Sequence, residues 1–517
     1  LSPAPSKRWR RWITAAWALL FALAYSQDPL YSSNQNQYFL HGLAQAGVGF
    51  LRQDWLAKTA DPTPLFTMLV RLTADWLPQA TFYLYDLLLL ALAFVSLLAL
   101  ADRIFRIRSN WLGLTLFSAG LILLCSAGVR FILEHGLGLD WGYLFDGGLA
   151  GQRLMGPVLQ PSSFGVLLLG ALILFLDDRW VLSGLLIALT ASIHPTYLLT
   201  GGLLVIGMAA AWLLEGGNWQ RPAAFAGLIG MLVLPVFLYT YRLFAASSAA
   251  VAAQSREILV NARIPHHTLI ASWLGWPSAV QLGLMVIGLA LLRRTRLGVA
   301  LLVASGLALA LTVAQAVTGS DSLALLFPWR LSTVVVPVST AMLLAWGAMR
   351  FSSWLQGPAG SLGLLAKALP PLAWLAIVLA GFGGMLRFQL ATVASGDQPS
   401  DGLYAYVRAH RASGEVFMVP PDMQDFRLAT GMPAYVDFKS IPYKPEDVIE
   451  WAQRIHVAGL VYRDRPDEVS CKRIGEAQRQ GGVTHVVLSQ AQFGADCGPW
   501  EQVYKDAWYA VYALAGH

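Results

Sequence analysis

The chain has 517 residues, of which 56% are hydrophobic and 13% charged, about half the charge of an ordinary soluble domain. Residues 1–390 hold 24 basic and 14 acidic side chains, and residues 391–517 hold 12 and 16. A single soluble globule, a disordered chain and a fibrous chain are excluded; the basic excess lies in short loops between apolar runs, where it orients a membrane protein and does not point to nucleic acid.

A spanning helix needs roughly 20 mostly apolar residues. Eleven candidate spans follow in chain order: 11–27, 80–101, 111–129, 162–177, 180–194, 196–214, 223–243, 270–292, 297–317, 329–349 and 369–387. The pair on either side of His194-Pro195 is either two short spans or one broken helix. The first span follows the basic cluster Lys7-Arg8-Trp9-Arg10-Arg11 and has the outline of a signal peptide; with ten further apolar runs behind it, a retained signal anchor is expected.

With the N-terminus in the cytoplasm, the inner loops hold fourteen of the 24 basic residues, among them Arg103, Arg179, Arg221, Arg296 and Arg350. This agrees with the positive-inside rule and sends the C-terminal part outside, across the bacterial inner membrane. The long loops, 28–79, 130–161, 244–269 and 318–328, then all face outward. In the first, Gln37 to Leu51 and Pro64 to Leu77 read as interfacial helices, with Asp61-Pro62-Thr63-Pro64 as the turn before the second.

From Ser395 the composition becomes soluble. Helices are expected over Gly402–His410, Pro445–His456 and Val469–Arg479. Strands are expected over Glu415–Val419 and Thr484–Leu488, followed by a hairpin around Lys505-Asp506. The expected architecture is an all-α polytopic membrane domain over 1–390 and a small extracytoplasmic α/β domain over 391–517. The tail has no phosphate loop, nucleophile elbow or metal-ligand run, so it reads as a cover for the membrane part. Cys471 and Cys497 are either a disulfide or two free thiols; Cys125 reads as apolar packing.

Ionisable groups in a membrane protein are functional candidates because burying them is costly. They collect in the outer loops and outer helix ends: His41, Asp54 and Asp61; Glu134, His135, Asp140, Asp146 and Arg153; His194; Arg256, Arg263, His266 and His267; Asp321 and Arg330. Asp86 lies near an outer helix end. The inner acids Asp102, Asp177, Asp178 and Glu215 read as ordinary solvated caps. Asp54 is either a general base or the cap of the following turn, and Asp61 precedes a proline at a common turn position. Arg330, after Pro328-Trp329 at a helix mouth, either clamps a phosphate or reaches toward headgroups. Arg263 with His266 or His267 suits phosphate binding better than a metal, since adjacent helical residues do not face one way. His194 fills a helix break at Pro195 or binds substrate. A carboxylate pair from the 130–161 loop would suit a divalent cation, although no spacing enforces one.

The layout and several segments, 31–38 (YSSNQNQY), 53–56 (QDWL), 160–165 (QPSSFG), 193–197 (IHPTY) and 263–267 (RIPHH), resemble the GT-C superfamily of membrane glycosyltransferases and an uncharacterised bacterial membrane family of this architecture. The resemblance implies a polyprenyl-phosphate-linked sugar as donor, a glycan, lipid or protein acceptor, and chemistry on the outer face. In GT-C enzymes an acid near the start of the first outer loop, ahead of a Tyr, is the general base. Here the matching stretch carries Asn34, Gln35, Asn36 and Gln37 before Tyr38. Amides can hold a sugar or phosphate but cannot take its proton. Either Asp54 or Asp61 then serves as base, with Asn34, Asn36, Tyr38, Arg153, His194, Arg263, His266, His267 and Arg330 around the substrate, or the protein binds without transferring. A transporter would instead place ionisable residues at mid-membrane and show an internal repeat.

Overall fold

The computed structural model describes residues 7–356, 363–463, 468–492, 497 and 499–514. It is mainly helical, with a small sheet near the C-terminus. Two compact units form: one of Leu1–Gln27, Phe82–Leu238 and Val260–Leu390, the other of Asp28–Thr81, Tyr239–Leu259 and Ala391–His517. We call them the helical unit and the mixed unit.

In the helical unit, apolar runs become helices because backbone groups in hydrocarbon must bond internally. Six described helices are long and apolar enough to cross a membrane, the first being Thr81–Phe105, and a seventh span is possible if the bent pair Trp111–Cys125 and Ala127–Leu137 counts as one. That pair bends by 59°; the Ser126 backbone is extended there, and its hydroxyl caps the second helix through the Val129 N–H. Pro161–Leu176, Trp180–Ile193 and Trp276–Leu292 are apolar but shorter. Trp180–Ile193 and Tyr197–Leu214 are separate helices, broken at His194, whose backbone is extended ahead of Pro195. The core is aliphatic and aromatic, with Trp17, Phe94, Phe117, Phe175 and Met208 fully buried.

The inner acids are not simple solvated caps. Arg103 holds Asp177 through two hydrogen bonds of 2.8 and 2.5 Å. Asp178 accepts from Arg221 at 2.7 Å and Arg296 at 2.8 Å, and Arg296 also approaches Glu215 at 3.4 Å. Four helix–helix turns are thereby laced together. Burial raises the Asp178 carboxyl, but the hydrogen bonds and charges of Arg221 and Arg296 together outweigh it and hold it below the ordinary range. The Arg103 bonds do the same for Asp177.

In the mixed unit, Pro64–Trp76 is helical as expected. Gln37 to Leu51 is not one helix: it breaks into Gln35–Tyr38, Leu40–Gln45 and a single 3-10 turn, Leu51–Gln53. Gly47 and Gly49 stop it by adopting positive φ. At Gly49 the backbone lies against Gly431, and a Cβ there would collide with the Gly431 carbonyl. The tail forms helices Asp401–His410, Pro445–Tyr462 and Glu468–Gly481, plus a short one, Phe426–Thr430, that the sequence did not signal. Strands β1 (Phe417–Met418), β2 (His485–Ser489), β3 (Glu501–Lys505) and β4 (Tyr509–Ala513) pair in the order β1-β2-β4-β3. β1 and β2 are parallel; β2–β4 and β3–β4 are antiparallel, and Asp506 closes the hairpin by accepting from Trp508 and Tyr509 N–H at 2.7 Å each. Cys471 and Cys497 form a disulfide.

Candidate functional site

The mixed unit holds Asp54, and its surroundings define its role. Asp54 is fully buried. One carboxylate oxygen accepts from the Leu56 and Ala57 N–H groups at 2.8 and 3.4 Å, which caps the turn after it. The other accepts from Arg427 Nε at 2.7 Å and the Ala434 N–H at 2.9 Å. Arg427, on the Phe426–Thr430 helix, donates its remaining nitrogens to Asp437 and to the Ala434 carbonyl. Asp437 also accepts from the Ser440 N–H at 2.6 Å. Burial pushes the Asp437 carboxyl above the ordinary range, against the pull of Arg427. Burial works against the Arg427 charge too, but Asp54 and Asp437 outweigh it. Four donors saturate Asp54, so it stands as the centre of a buried Asp–Arg–Asp triad.

The amide run beside it is also structural. Gln37 pairs with the main chain of Ile441 in both directions, at 3.0 and 2.5 Å. Gln35 accepts from the Tyr31 N–H at 2.7 Å, the Asn36 carbonyl accepts from Ser440 Oγ at 3.2 Å, and the Tyr38 and Tyr443 hydroxyls lie 3.3 Å apart. Asn36 Oδ1 is buried without a hydrogen-bond partner among the described residues, and Asn34 sits half-buried at the start of the same short helix. Asp61 accepts from the Thr63 N–H at 2.9 Å in the turn before Pro64–Trp76, while its carbonyl accepts from the Tyr239 hydroxyl at 2.5 Å. Burial lowers the nearby His41, partly offset by Asp61 and Asp54.

The helical unit gathers different chemistry. The loop after Ala127–Leu137 brings Asp146 to the end of the first helix, where it accepts from the Tyr25 hydroxyl at 2.7 Å and pairs with Arg130 at 4.0 Å. Burial raises the Asp146 carboxyl against the pull of Arg130 and the Tyr25 hydrogen bond. Arg130 lies over the Tyr25 and Tyr143 rings, and Arg153 stacks over Tyr143 at 3.9 Å. Asp86, on Thr81–Phe105, is buried; its Oδ2 has no hydrogen-bond partner among the described residues, and the positive charge acting on it is that of Arg153.

Arg330 lies on the 3-10 turn Pro328–Leu331, which opens with Phe327 at a positive φ of 50°. It is 9% exposed, its guanidinium sits 4.8 Å over the Tyr197 ring, and its Nε has no hydrogen-bond partner among the described residues. Among the described residues no carboxylate pairs with it. Tyr197 donates to the Ser162 carbonyl at 2.8 Å and meets the buried His194 edge to face. Trp329 packs against Trp273 with ring centres 5.3 Å apart, and both indole N–H groups are buried without an acceptor among the described residues. His267 Nδ1 lies 2.6 Å from the Ala150 carbonyl and its ring 4.1 Å from that of His266; Arg263 is half-buried at the end of a π-helical turn. Glu134, His135 and Asp140 are exposed. Among the described residues no three His, Cys, Asp or Glu side chains gather as a metal ion would need.

Of the residues picked out in the sequence, Arg153, His194, Arg263, His266, His267 and Arg330 fall in the helical unit, and Asn34, Asn36, Tyr38, Asp54 and Asp61 in the mixed unit. Sequence reasoning did not single out Tyr25, Arg130, Arg427 or Asp437. Tyr25 and Arg130 flank apolar runs in positions that carry no motif. Arg427 and Asp437 look like any charges of a soluble tail. Asp86 had a signal, as the lone acid in the first 21 residues of the Thr81–Phe105 helix.

Residues 398–458 match a family described as Domain of unknown function (DUF6798). No curated protein matches the chain. Among solved structures, it is similar to the crystal structure of the Archaeoglobus fulgidus oligosaccharyltransferase in the apo form, at 11% identity and a TM-score of 0.45, over 94% of this chain and 70% of that one.

Proposed function

We propose that the chain is an integral-membrane glycosyltransferase of the GT-C kind, moving a sugar from a polyprenyl-phosphate donor to an acceptor on the outer face of the bacterial inner membrane. Arg330 carries this reading. A guanidinium that is nine-tenths buried, with an open Nε and no carboxylate partner among the described residues, is a costly arrangement that an anionic ligand would repay. A phosphate monoester or diester supplies the charge and the acceptor geometry. The two indole N–H groups of Trp273 and Trp329 offer donors, and their rings a stacking surface, for a polyhydroxylated headgroup. Arg153, Arg263 and His267 are further positive or hydrogen-bonding groups of the same unit.

In this reading residues 1–390 form the membrane domain, with 28–79 as its first outer loop, and 391–517 form the extracytoplasmic domain. The arginine-rich inner turns support that sidedness, and so does the Cys471–Cys497 disulfide, since disulfides persist in oxidising compartments. The reaction is tested with purified protein in lipid nanodiscs. Polyprenyl phosphate should bind saturably, and polyprenyl-phosphate-linked hexoses should release their sugar to an acceptor. An absence of saturable binding sinks the reading.

A second reading, a non-catalytic binding or assembly protein for envelope polysaccharide or lipid, is favoured by the saturation of Asp54 and the clamp role of Gln37. It predicts binding of polyprenyl phosphate with no sugar release from any linked hexose.

A further inference from the structure

The Pro64–Trp76 helix of the mixed unit buries one side and leaves an apolar stripe open on the other. With about 100° between successive residues, Phe66, Thr67, Val70 and Thr73 fall on one side and are buried. There the helix packs on Leu40–Gln45 so closely that a Cβ at Gly42 would collide with Val70 and the Thr67 carbonyl, and the Phe66 ring lies 5.9 Å from that of Phe39. Leu65, Met68, Leu72 and Trp76 share an arc of about 80° on the other side. They stay 39%, 52%, 47% and 79% exposed. Arg71 and Asp75 lie along one edge of that arc and pair at 3.5 Å, so the edge carries no net charge. An apolar stripe running the length of one helix marks a surface that a partner covers.

Both ends of this helix are tied to segments long and apolar enough to cross a membrane. Only Leu77, Pro78, Gln79 and Ala80 separate Trp76 from the Thr81–Phe105 helix. Four extended residues reach at most about 14 Å. At the other end, the Asp61 carbonyl accepts from the Tyr239 hydroxyl at 2.5 Å, and Tyr239 lies in the last two turns of the apolar helix Gln220–Leu243. A helix tethered at both ends to the ends of spans lies along the bilayer surface. An apolar arc with a polar edge, and a Trp at the end next to a span, suits the boundary between headgroups and acyl chains. We propose that the Pro64–Trp76 helix is the lipid-docking face of the mixed unit, with Leu65, Met68, Leu72 and Trp76 inserted among the lipids and Arg71 and Asp75 level with the headgroups. Because the polar edge is neutral, the adhesion is apolar and owes little to lipid charge. The packing continues from this helix to the tail. Val70 and Thr67 meet Gly42, and the preceding turn, Gln35–Tyr38, holds Ser440 and Ile441 through the Asn36 carbonyl and the Gln37 side chain. The tail segment at 440–441 is thereby braced on the lipid surface.

The test places one nitroxide at a time on the full chain in lipid nanodiscs, through Met68→Cys, Leu72→Cys and Arg71→Cys. Cys125 is buried and Cys471 is bonded to Cys497, so the label goes to the introduced thiol. Oxygen, which concentrates in hydrocarbon, should relax the labels of Met68→Cys and Leu72→Cys, and a water-soluble nickel chelate should not. Their depth should read about 5–10 Å into the boundary between headgroups and acyl chains. The label of Arg71→Cys should meet the nickel chelate. The same pattern should hold in phosphatidylcholine and in phosphatidylglycerol nanodiscs. A second readout needs no label: lipids brominated near the headgroup end of their chains should quench the fluorescence of wild type more than that of Trp76→Phe. Nickel contact in Met68→Cys and Leu72→Cys equal to that in Arg71→Cys overturns the proposal, since the face would lie in water. Exclusion of both oxygen and nickel overturns it too, since a second copy or another protein would then cover the face. Insertion confined to phosphatidylglycerol also overturns it, because charge and not apolar burial would then hold the helix. Equal quenching of wild type and Trp76→Phe does the same.

Discussion

The two units bury charge in opposite ways. In the mixed unit, Asp54, Arg427 and Asp437 close on one another and on five backbone N–H and C=O groups, so burial is compensated locally. In the helical unit, Arg330 and Asp86 keep open hydrogen-bonding atoms. A buried charge that is fully satisfied explains a fold; one that is not asks for a ligand or a reaction. The same residue types therefore read as architecture in one place and as chemistry in the other, and exposure alone does not separate them.

The sharpest way to break this comparison is at Arg427. Arg427→Met leaves two buried carboxylates facing each other and should destabilise the mixed unit by about 3–5 kcal/mol. Replacing all three members, Asp54→Leu, Arg427→Met and Asp437→Leu, should restore most of that loss. Thermal unfolding and limited proteolysis of the full chain in nanodiscs measure both, and equal stability of the single and triple variants would refute a closed triad. The disulfide comes next: it closes a separation of 26 residues, worth about 3.5 kcal/mol by loop entropy. Cys471→Ser with Cys497→Ser should lower the melting temperature of the mixed unit, and in the wild type only reductant should expose both thiols to alkylation. Two thiols that alkylate without reductant in intact cells would argue against an extracytoplasmic tail.

Arg330→Gln tests the other side of the comparison. It removes an uncompensated buried charge, so stability should stay level or rise, while polyprenyl phosphate binding should weaken by about 1.5–3 kcal/mol, the worth of a charged hydrogen bond. A stability loss like that of Arg427→Met would place Arg330 among structural charges. The smallest effect is in pH. Asp437 has a raised carboxyl, so the folded state holds its proton more tightly and its contribution to stability grows as pH falls toward the carboxylate range. Asp177 and Asp178 are held low, so their contribution is present above the ordinary carboxylate pKa and is lost as pH falls through it. Hydrogen exchange near pH 4 should protect the inner turns less and the Asp437 loop more than at neutral pH; parallel changes would contradict this. Asp178 is more than half exposed, so its share is small.

Much of the tail was legible. The strand at 484–488, the closing hairpin and the three longer helices lie within a few residues of their expected places, because period, glycine stops and first-turn acids are local signals. The helix Pro445–Tyr462 runs further than expected because Val461 and Ala458 pack into the core, which no local signal reveals. The 37–51 segment failed as a helix because Gly47 and Gly49 take positive φ and Gly49 lies against Gly431, a partner nearly 400 residues away.

The sequence by itself determined that apolar helices dominate the first 390 residues, that a small α/β tail follows, and where the ionisable residues could gather, since composition and periodicity follow from burial in hydrocarbon or water. Only the tertiary structure decided which charges close on one another. Asp54 and Asp86 differ little as letters in a chain; Arg427 arrives at one through a contact 373 positions away, and among the described residues no hydrogen-bond donor arrives at Oδ2 of the other. Pairing depends on through-space distance, and distance between remote segments is a property of the packed chain alone.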